Sequence, residues 1–408
     1  MGRITRRTFA AAAAGAFSGL LTAVPAVAAG ARPADGGRGR AAELRGVWIA
    51  TVENIDWPSS TGLEAAVQQR ELIAHLDTAV ERRLNTVYFQ VRPTADALWP
   101  SPHEPWSKVL TGTQGQDPGW DPLAFAVKEA HARGLQLHAW FNPYRVANSE
   151  DPAQLSPEHP VRKNPEWAVP YGGKLYYNPG LPQVREFVTK AMLHAVDNYD
   201  IDGVHWDDYF YPYPVEGAVF DDDATYAEHG GDFDNKADWR RHNIDLLVRG
   251  MKEALGKRRA PLPFGVSPFG VWRNKATDPE GSDTNAGVQT YDDLHADCRK
   301  WVREGWVDYI TPQLYWHIGF TAADYAKLVP WWNEVVRGTG VDLYVGEALY
   351  KVADPAQPEQ WRDPAELSRH LTFCGDYDQV KGHAYFSAVH VASDPLGAMS
   401  RVVDDHYR

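Results

Sequence analysis

The stretch DGVHWDDYFY, residues 202–211, decides the fold. It begins with a short apolar run that is typical of a buried β-strand and ends in two adjacent carboxylates, Asp207 and Asp208, followed by rings. Because a strand interior cannot accommodate two charges, we expect both side chains at the end of the strand, within reach of solvent or a ligand. The stretch therefore predicts a β-strand whose carboxyl end carries a functional site.

Helical patterns alternate with strand patterns on both sides of this stretch. The predicted strands are residues 45–51, 85–92, 135–142, 203–208, 263–267, 307–315, 341–347 and 382–387. The predicted helical segments are residues 63–83, 122–133, 182–199, 235–255 and 290–304. An eightfold alternation predicts an α/β fold of the (β/α)8 TIM-barrel class, with its functional residues at the carboxyl ends of the strands. A doubly wound sheet is the alternative, but no Gly-rich phosphate loop follows the first strand.

Long loops follow the third and fourth predicted strands, at residues 143–181 and 212–235. The first is rich in proline, and we expect it to lack regular structure. The second carries acidic residues between 221 and 234, which are candidate Ca²⁺ ligands, but without EF-hand spacing we favour a solvated loop.

The first 42 residues are predicted to lie outside the folded domain. Residues 1–28 contain the pair Arg6-Arg7, an alanine-rich apolar run and Ala26-Val27-Ala28, which together indicate a twin-arginine-type export signal. Residues 29–42 predict a flexible linker, and residues 43–408 the TIM-barrel domain. We therefore expect secretion or retention at the cell envelope, with no membrane span in the mature chain.

Composition narrows the classes of partner. The chain has 408 residues, 44% of them hydrophobic, and a formal net charge of −13, which argues against nucleic acid as a partner. Sixteen Trp and 19 Tyr supply rings for stacking on sugars or for filling a core. Cys298 and Cys374 are too few for a disulfide framework, so we favour two buried thiols over one bridge. No zinc pattern occurs in the sequence, and we expect a monomer without cofactor or metal.

Alternation along each strand divides its side chains between two faces, and the polar face should line the barrel. That face comprises Tyr88, Gln90 and Arg92; Gln136, His138, Trp140 and Asn142; His205 and Asp207; and Tyr309, Thr311, Gln313 and Tyr315. Asp207 should therefore point into the barrel mouth, whereas Asp208 begins the loop. If one of the two acids is structural, we expect it to be Asp208.

Carboxylates, amides and rings around a barrel mouth are typical of glycoside hydrolases, which protonate the leaving oxygen with one acid and use a second group as base or nucleophile. The candidate catalytic residues are Asp207, Asp208 and, at the end of the seventh strand, Glu347. The candidate substrate-binding residues are Trp48, Asp56, Trp57, Gln90, Arg92, His138, Trp140, Asn142, Tyr144, Arg145, His205, Tyr209, Gln313, Tyr315 and Trp316.

Structural alternatives exist for these residues. The two aspartates could cap a helix or pair with a cation, and Glu347 could form an ion pair with Arg92 or Lys351 at the rim. Histidines inside a barrel, such as His138 and His205, are more often hydrogen-bonded core residues than ligands. Two adjacent acids also permit substrate-assisted hydrolysis of 2-acetamido sugars, in which one acid orients the acetamido group while the other protonates the aglycone.

Four stretches carry a resemblance to a known family: RGVWIATVENIDWP at residues 45–58, FQVRP at 89–93, AWFNPYR at 139–145, and residues 202–214. From about residue 43 to the last strand, the chain resembles the glycosyl-hydrolase-like 10 family of bacterial envelope proteins. The resemblance implies a TIM barrel and, for a characterised divisome-localised relative, hydrolysis of peptidoglycan glycan strands stripped of stem peptides. Arg92 and Arg145 are candidates for binding a carboxylate such as the lactyl group of muramic acid, with an ion pair to a nearby aspartate as the alternative.

The spacing Asp-Gly-x-x-x-Asp is also similar to the strand-four motif of α-amylase-like barrels, which would make Asp207 the catalytic acid. Ser267-Pro268-Phe269 stands where those enzymes carry a glutamate, and Tyr209 replaces the final glutamate of family 18 chitinases. The expected function is thus a secreted glycoside hydrolase acting on a cell-wall glycan polymer. A non-catalytic glycan-binding barrel and an α-glucan hydrolase are the alternatives.

Overall fold

Eight parallel strands form a closed barrel in the computed structural model, which describes residues 43–258 and 260–407. The strands are β1 Leu44–Ile49, β2 Thr86–Arg92, β3 Gln136–Phe141, β4 Gly203–Trp206, β5 Phe264–Val266, β6 Tyr309–Ile310, β7 Asp342–Glu347 and β8 Val380–Tyr385. The barrel closes where β1 pairs with β8, with Val47 opposite Tyr385. The predicted (β/α)8 TIM-barrel class is confirmed. The predicted export signal and linker, residues 1–28 and 29–42, lie outside the described residues.

Helices connect the strands and cover the outside of the barrel. They are Ala65–Glu81, Pro122–Ala132, Pro182–Asn198, Asp223–His229, Lys236–Gly256, Cys298–Arg303, Tyr325–Val336, Glu366–Cys374, Ala388–Ser393 and Ala398–His406, with shorter helices at Lys108–Thr111 and Pro160–Lys163. Local chemistry sets several of their starts. Asp121 accepts a hydrogen bond from the backbone N–H of Ala124, 3.0 Å away, and Pro122 occupies the first helical position.

The loop after β3 contains regular structure, so our expectation of none was wrong. Arg145–Ala147, Ala168–Tyr171 and Lys174–Tyr177 form an antiparallel sheet, with Lys174–Tyr177 in the centre. Pro170 is compatible with it because it lies on an edge strand, where a missing backbone N–H costs little. We call this element the small sheet.

Two predicted elements are shorter than the sequence suggested. β6 has only two paired residues, although Gln313 still bridges to Phe269 and Gly346. Of the helical segment predicted at 290–304, only Cys298–Arg303 is helical, because the Asp297 side chain caps that helix at the backbone N–H of Lys300.

Side-chain alternation separates two hydrophobic clusters. The large one lies between barrel and helices and includes Val87, Phe89, Val204 and Trp206. The small one fills the barrel interior with Leu44, Trp48, Ala50, Tyr88, Trp140, Tyr309 and Ala384. The predicted faces of β2, β3 and β4 are therefore confirmed for these residues.

Glycines on the inner face make room for the interior rings. A Cβ atom at Gly203 would lie 2.7 Å from the ring of His138, and one at Gly46 would lie 2.9 Å from the ring of Tyr88. A Cβ atom at Gly265 would overlap the ring of Tyr309. Large polar rings can occupy the barrel interior because the neighbouring strands present no side chain there.

We expect Gly265→Ala to lower the free energy of unfolding by about 1–3 kcal/mol, because the new methyl group must displace Tyr309 in a packed interior. Gly250→Ala is the matched control. Gly250 lies in the helix Lys236–Gly256, and a Cβ atom there would have no atom of another element within 4 Å. The control should be neutral or stabilising by about 0.5–1 kcal/mol. Urea titration of both variants measures the difference; equal effects would contradict the packing argument.

Candidate active site

Asp207 and Asp208 follow directly after β4 and line one cavity of about 530 Å³ at the carboxyl ends of the strands. Both side chains are buried, with 4% and 6% of their surface exposed. The structure thus brings both acids to the barrel mouth, including Asp208, which the sequence placed less securely.

Asp207 is held by three hydrogen-bond donors. The indole N–H of Trp140 lies 3.1 Å from Oδ2, the amide nitrogen of Asn142 lies 3.1 Å from both carboxylate oxygens, and the backbone N–H of Tyr209 lies 3.2 Å from Oδ1. Burial raises the pKa of Asp207 above its ordinary value, although the Arg145 guanidinium and these donors act in the opposite direction. The carboxylate is therefore fixed in orientation and supplied with donors that favour its anionic form.

Asp208 has a different environment. The hydroxyl of Tyr213 donates a short hydrogen bond to its Oδ2. Burial and the neighbouring Asp207 raise the pKa of Asp208 to about 6, while Tyr213 and Gln313 act to lower it. One of two adjacent carboxyl groups can therefore hold a proton near neutral pH, as a general acid requires.

Neutral histidines form the floor beneath the acids. The Tyr309 hydroxyl lies 2.9 Å from Nδ1 of His138 and 3.1 Å from Nδ1 of His205. The indole N–H of Trp48 donates to Nε2 of His205 at 3.1 Å, and Ser267 Oγ lies 3.0 Å from the same nitrogen. Burial lowers the pKa of His138 to about 4 and that of His205 well below its ordinary value, so both rings are neutral. His205 fixes Trp48 and Ser267, which line the cavity.

One wall of the cavity carries charged and polar side chains, and the other is built mainly of aromatic rings. On one side, the Arg145 guanidinium stacks 4.1 Å from the centre of the Tyr209 ring, and Glu53 accepts a hydrogen bond from Asn148 at 3.1 Å. Lys174 reaches this side from the small sheet. The other side consists of rings from the loops after β5 to β8: Phe269, Tyr315, Trp316, Tyr350 and Phe386. Lys351 adds a positive charge there, with its ammonium 2.7 Å from the carbonyl oxygen of Tyr315.

The structure brings ten of the sequence-predicted residues together in this cavity. They are Trp48, Gln90, Trp140, Arg145, Asp207, Asp208, Tyr209, Gln313, Tyr315 and Trp316. Asn142 supports Asp207 from behind, and His138 and His205 belong to the floor.

Glu347 does not line the cavity. It lies on the outer face of β7 together with Leu343 and Val345, and its carboxylate accepts hydrogen bonds from the Tyr325 hydroxyl at 2.7 Å, His370 at 2.8 Å and His383 at 3.0 Å. Although burial alone would raise the pKa of Glu347, the two histidines lower it to about 2. This saturated anion cannot serve as a proton donor, and the geometry gives Glu347 a structural role instead of the catalytic one expected.

Arg92 is also outside the cavity. The register of β2 against β3 shifts between Gln90 and Arg92, which brings Arg92 opposite the outward-facing Phe141. The guanidinium forms a fully buried ion pair with Glu104 and donates to backbone carbonyls after β3. The predicted inward orientation of Arg92 is therefore corrected by the bulge.

Three further candidates are structural. Asp56 accepts hydrogen bonds from the backbone N–H of Ala50 at 2.7 Å and from the Ser387 hydroxyl at 2.6 Å, which ties the loop after β1 to the loop after β8. Trp57 is fully buried in the outer cluster, and Tyr144 is buried there too. None of the three lines the cavity.

Sequence reasoning missed several lining residues. They are Ala50, Val52, Glu53, Ile55, Asn148, Lys174, Tyr213, Ser267, Phe269, Tyr350, Lys351 and Phe386. Glu53 and Tyr213 lie inside stretches that had been singled out, so their position just after a strand was a usable signal. Lys174 carried none, because the small sheet that positions it was not expected.

Residues 43–258 and 260–407 contain no metal-binding cluster and no membrane-spanning helix. No group of three or more His, Cys, Asp or Glu residues in this range is placed to hold a metal ion. Asp222, in the acidic loop, is instead paired with Arg240 and Lys236. Cys298 and Cys374 are both buried free thiols, as expected. No helix in the described part of the chain is long and apolar enough to cross a membrane.

Comparison with known proteins shows the family to which this chain belongs. The model of the glycosyl hydrolase-like 10 family matches residues 43–363. The chain belongs to this family. It is 49% identical over 367 residues to glycosyl hydrolase YngK of Bacillus subtilis, covering 90% of this chain and 72% of that protein. It is 41% identical over 378 residues to glycosyl hydrolase DigH of Escherichia coli K12, covering 88% of this chain and 86% of that protein.

Solved structures share the fold of this family member. Alpha-L-fucosidase isoenzyme 2 from Paenibacillus thiaminolyticus superposes with a TM-score of 0.55 at 11% identity, over 89% of this chain and 49% of that one. The glycoside hydrolase domain of PgaB (BpsB) from Bordetella bronchiseptica gives a TM-score of 0.55 at 12% identity, over 88% of this chain and 97% of that one. At these identities the likeness concerns the barrel alone.

The assignment of Glu347 is open to a direct test. We expect Glu347→Gln to lower the free energy of unfolding by about 3–5 kcal/mol, because it removes the buried anion that His370 and His383 share and leaves His370 with Glu366 alone, 3.3 Å from its Nε2. Since the pKa of this carboxyl is lowered in the folded state from its ordinary 4.5, its stabilising contribution is complete above pH 4.5 and is lost as pH falls toward 2. Exposed Glu334→Gln is the control and should leave stability essentially unchanged. Wild-type stability for Glu347→Gln would contradict the structural role.

Proposed function

We propose that this protein is an exported glycosidase that hydrolyses an amino-sugar glycan of the bacterial envelope, with Asp207 and Asp208 as its working carboxyl groups. One observation carries the proposal: two adjacent buried acids share a cavity but have different hydrogen-bond partners. Membership of a glycosyl hydrolase-like family supports the reaction class. The export signal predicted at residues 1–28 supports action outside the cytoplasm.

Asp208 acts as the general acid. Its pKa of about 6 keeps a proton available near neutral pH, and protonation of the glycosidic oxygen lets the C1–O bond break. Asp207, held by Trp140 and Asn142, remains the anion of the pair and keeps a fixed position while charge develops at C1.

A substrate with a 2-acetamido group fits this division of roles. The acetamido N–H donates to Asp207, the acetamido oxygen attacks C1, and the proton of Asp208 passes to the leaving oxygen. Water then attacks C1, the bond between C1 and the acetamido oxygen breaks, and the water proton passes to Asp208, which regenerates the pair and retains the anomeric configuration. This scheme needs no third carboxylate, which agrees with the location of Glu347 outside the cavity.

The walls favour an envelope glycan over a neutral α-glucan. Arg145, Lys174 and Lys351 supply positive charge for a substrate that carries carboxylates, such as the lactyl groups of muramic acid. The opposite wall of rings suits stacking against the apolar faces of sugars. Ser267 stands after β5 where an α-amylase-like barrel would carry its glutamate, so the α-glucan alternative has less support.

Hydrolysis of denuded peptidoglycan is the primary test. Wild-type protein should release new reducing ends, and both Asp207→Asn and Asp208→Asn should reduce the rate by about 10²–10⁴-fold, because each removes a charge or proton from the reacting centre. Exposed Asp221→Asn is the control and should retain wild-type activity. If wild-type protein binds the glycan without releasing reducing ends, it is a glycan-binding barrel and the hydrolase proposal fails.

The pH profile tests which acid donates the proton. We expect kcat/KM to fall as pH rises through about 6, because Asp208 must be protonated to act. Tyr213 stabilises the Asp208 anion, so Tyr213→Phe should raise the pKa of Asp208 and move the alkaline limb upward by about one pH unit. Tyr350→Phe is the control, because Tyr350 lines the same cavity without contacting the acids. An unshifted limb in Tyr213→Phe would assign the proton to another group.

A further inference from the structure

A second cavity of about 530 Å³ lies behind the segment 209–214. This segment divides its side chains between the two cavities: Tyr209 and Tyr213 line the active-site cavity, whereas Tyr211, Pro212 and Pro214 line the second one. The small sheet is divided in the same way, with Lys174 facing the first cavity and Tyr171 the second. The two cavities therefore share two walls and lie side by side.

We propose that the second cavity is a carbohydrate-binding site that holds a sugar unit of the same glycan chain that enters the active site. The choice of ligand rests on the proposed function, but the site itself is supported by its own polar atoms, charges and rings. Its volume is within the range of small-ligand sites, about 300–1,000 Å³.

Two buried polar atoms at this cavity have no hydrogen-bond partner among the described residues. They are the hydroxyl of Tyr211 and Nδ1 of His295, on side chains that are 2% and 8% exposed. Arg240 Nη1 donates to Nε2 of His295 at 3.2 Å, so the proton of the neutral ring resides on Nδ1. Both atoms are closed to solvent and belong to side chains that line the cavity, so a ligand hydroxyl or carbonyl satisfies them once these side chains turn toward it. Unpaired buried polar groups each cost about 1–3 kcal/mol, which ligand binding would recover.

The charges around the cavity disfavour an anionic ligand. Asp222 is paired with Arg240 through two hydrogen bonds of 2.6 and 2.9 Å and with Lys236 at 2.8 Å. Asp292 is paired with Arg273 at 2.8 Å. Because the cations at this site already have carboxylate partners, an anionic ligand finds no free counter-charge here.

Apolar surface completes the match to a sugar. Tyr171, Tyr211 and Phe220 form a cluster of rings, with centres 5.2 Å apart for Tyr211 and Phe220 and 6.1 Å apart for Tyr171 and Phe220. Val219, which lines the cavity and is 76% exposed, adds an aliphatic group to this surface. Rings and aliphatic groups beside a few hydrogen-bonding atoms are the combination that binds the two kinds of surface on a sugar.

Ala237→Trp tests the site by filling it from the helix Lys236–Gly256. Ala254→Trp is the matched control, because Ala254 has comparable exposure on the same helix and lines neither cavity. Tyr211→Phe is a second variant, which removes only a hydroxyl that has no protein partner and should therefore not lower the melting temperature. All three are combined with Asp208→Asn, and binding of soluble oligosaccharides from denuded peptidoglycan is measured by isothermal titration calorimetry.

We expect a binding event that is retained in the Ala254→Trp protein, lost in Ala237→Trp and about tenfold weaker in Tyr211→Phe. Identical isotherms for Ala237→Trp and Ala254→Trp, or unchanged binding in Tyr211→Phe, would overturn the proposal. Reducing-end release by otherwise wild-type protein separates this outcome from failure of the proposed function. If the protein releases no reducing ends but still shows the binding that Ala237→Trp abolishes, the hydrolase proposal fails. The proposal of a second binding site then stands by itself.

Discussion

Burial of two adjacent carboxyl groups is the constraint on which the upper half of the barrel depends. Two such groups cannot both remain ionised in a cavity of low polarity unless donors and cations are arranged around them. Trp140, Asn142 and Arg145 provide this for Asp207, whereas Tyr213 provides part of it for Asp208. Because the two environments differ, one carboxyl group of this repulsive pair can hold a proton near neutral pH while the other stays an anion.

The barrel interior directly below the acids is polar but carries no charge. Its polar layer consists of neutral groups, since burial keeps His138 and His205 unprotonated, and Tyr309 connects them. A charged floor would change the proton affinity of the acids above it. Glycines at inner positions make this layer possible, because they leave space for rings that contribute hydrogen bonds without charge.

Much of this arrangement follows from period-two alternation in the sequence. Alternation placed Tyr88, Trp140 and Asp207 correctly. The same rule applied to β7 would have placed Glu347 outside the barrel, because Glu347 shares a face of that strand with Leu343 and Val345. Arg92 could not be placed this way, since a shift of register within β2 is not visible in a hydrophobic pattern. The position of Lys174 depends on tertiary folding of a proline-rich segment, for which local propensity gave no signal.

The small sheet after β3 contributes to both cavities while lying outside the barrel. Substitutions in it can change the walls of both cavities without disturbing β4, the strand that precedes the two acids. The shape and charge of the cavities can therefore vary independently of the buried acid pair.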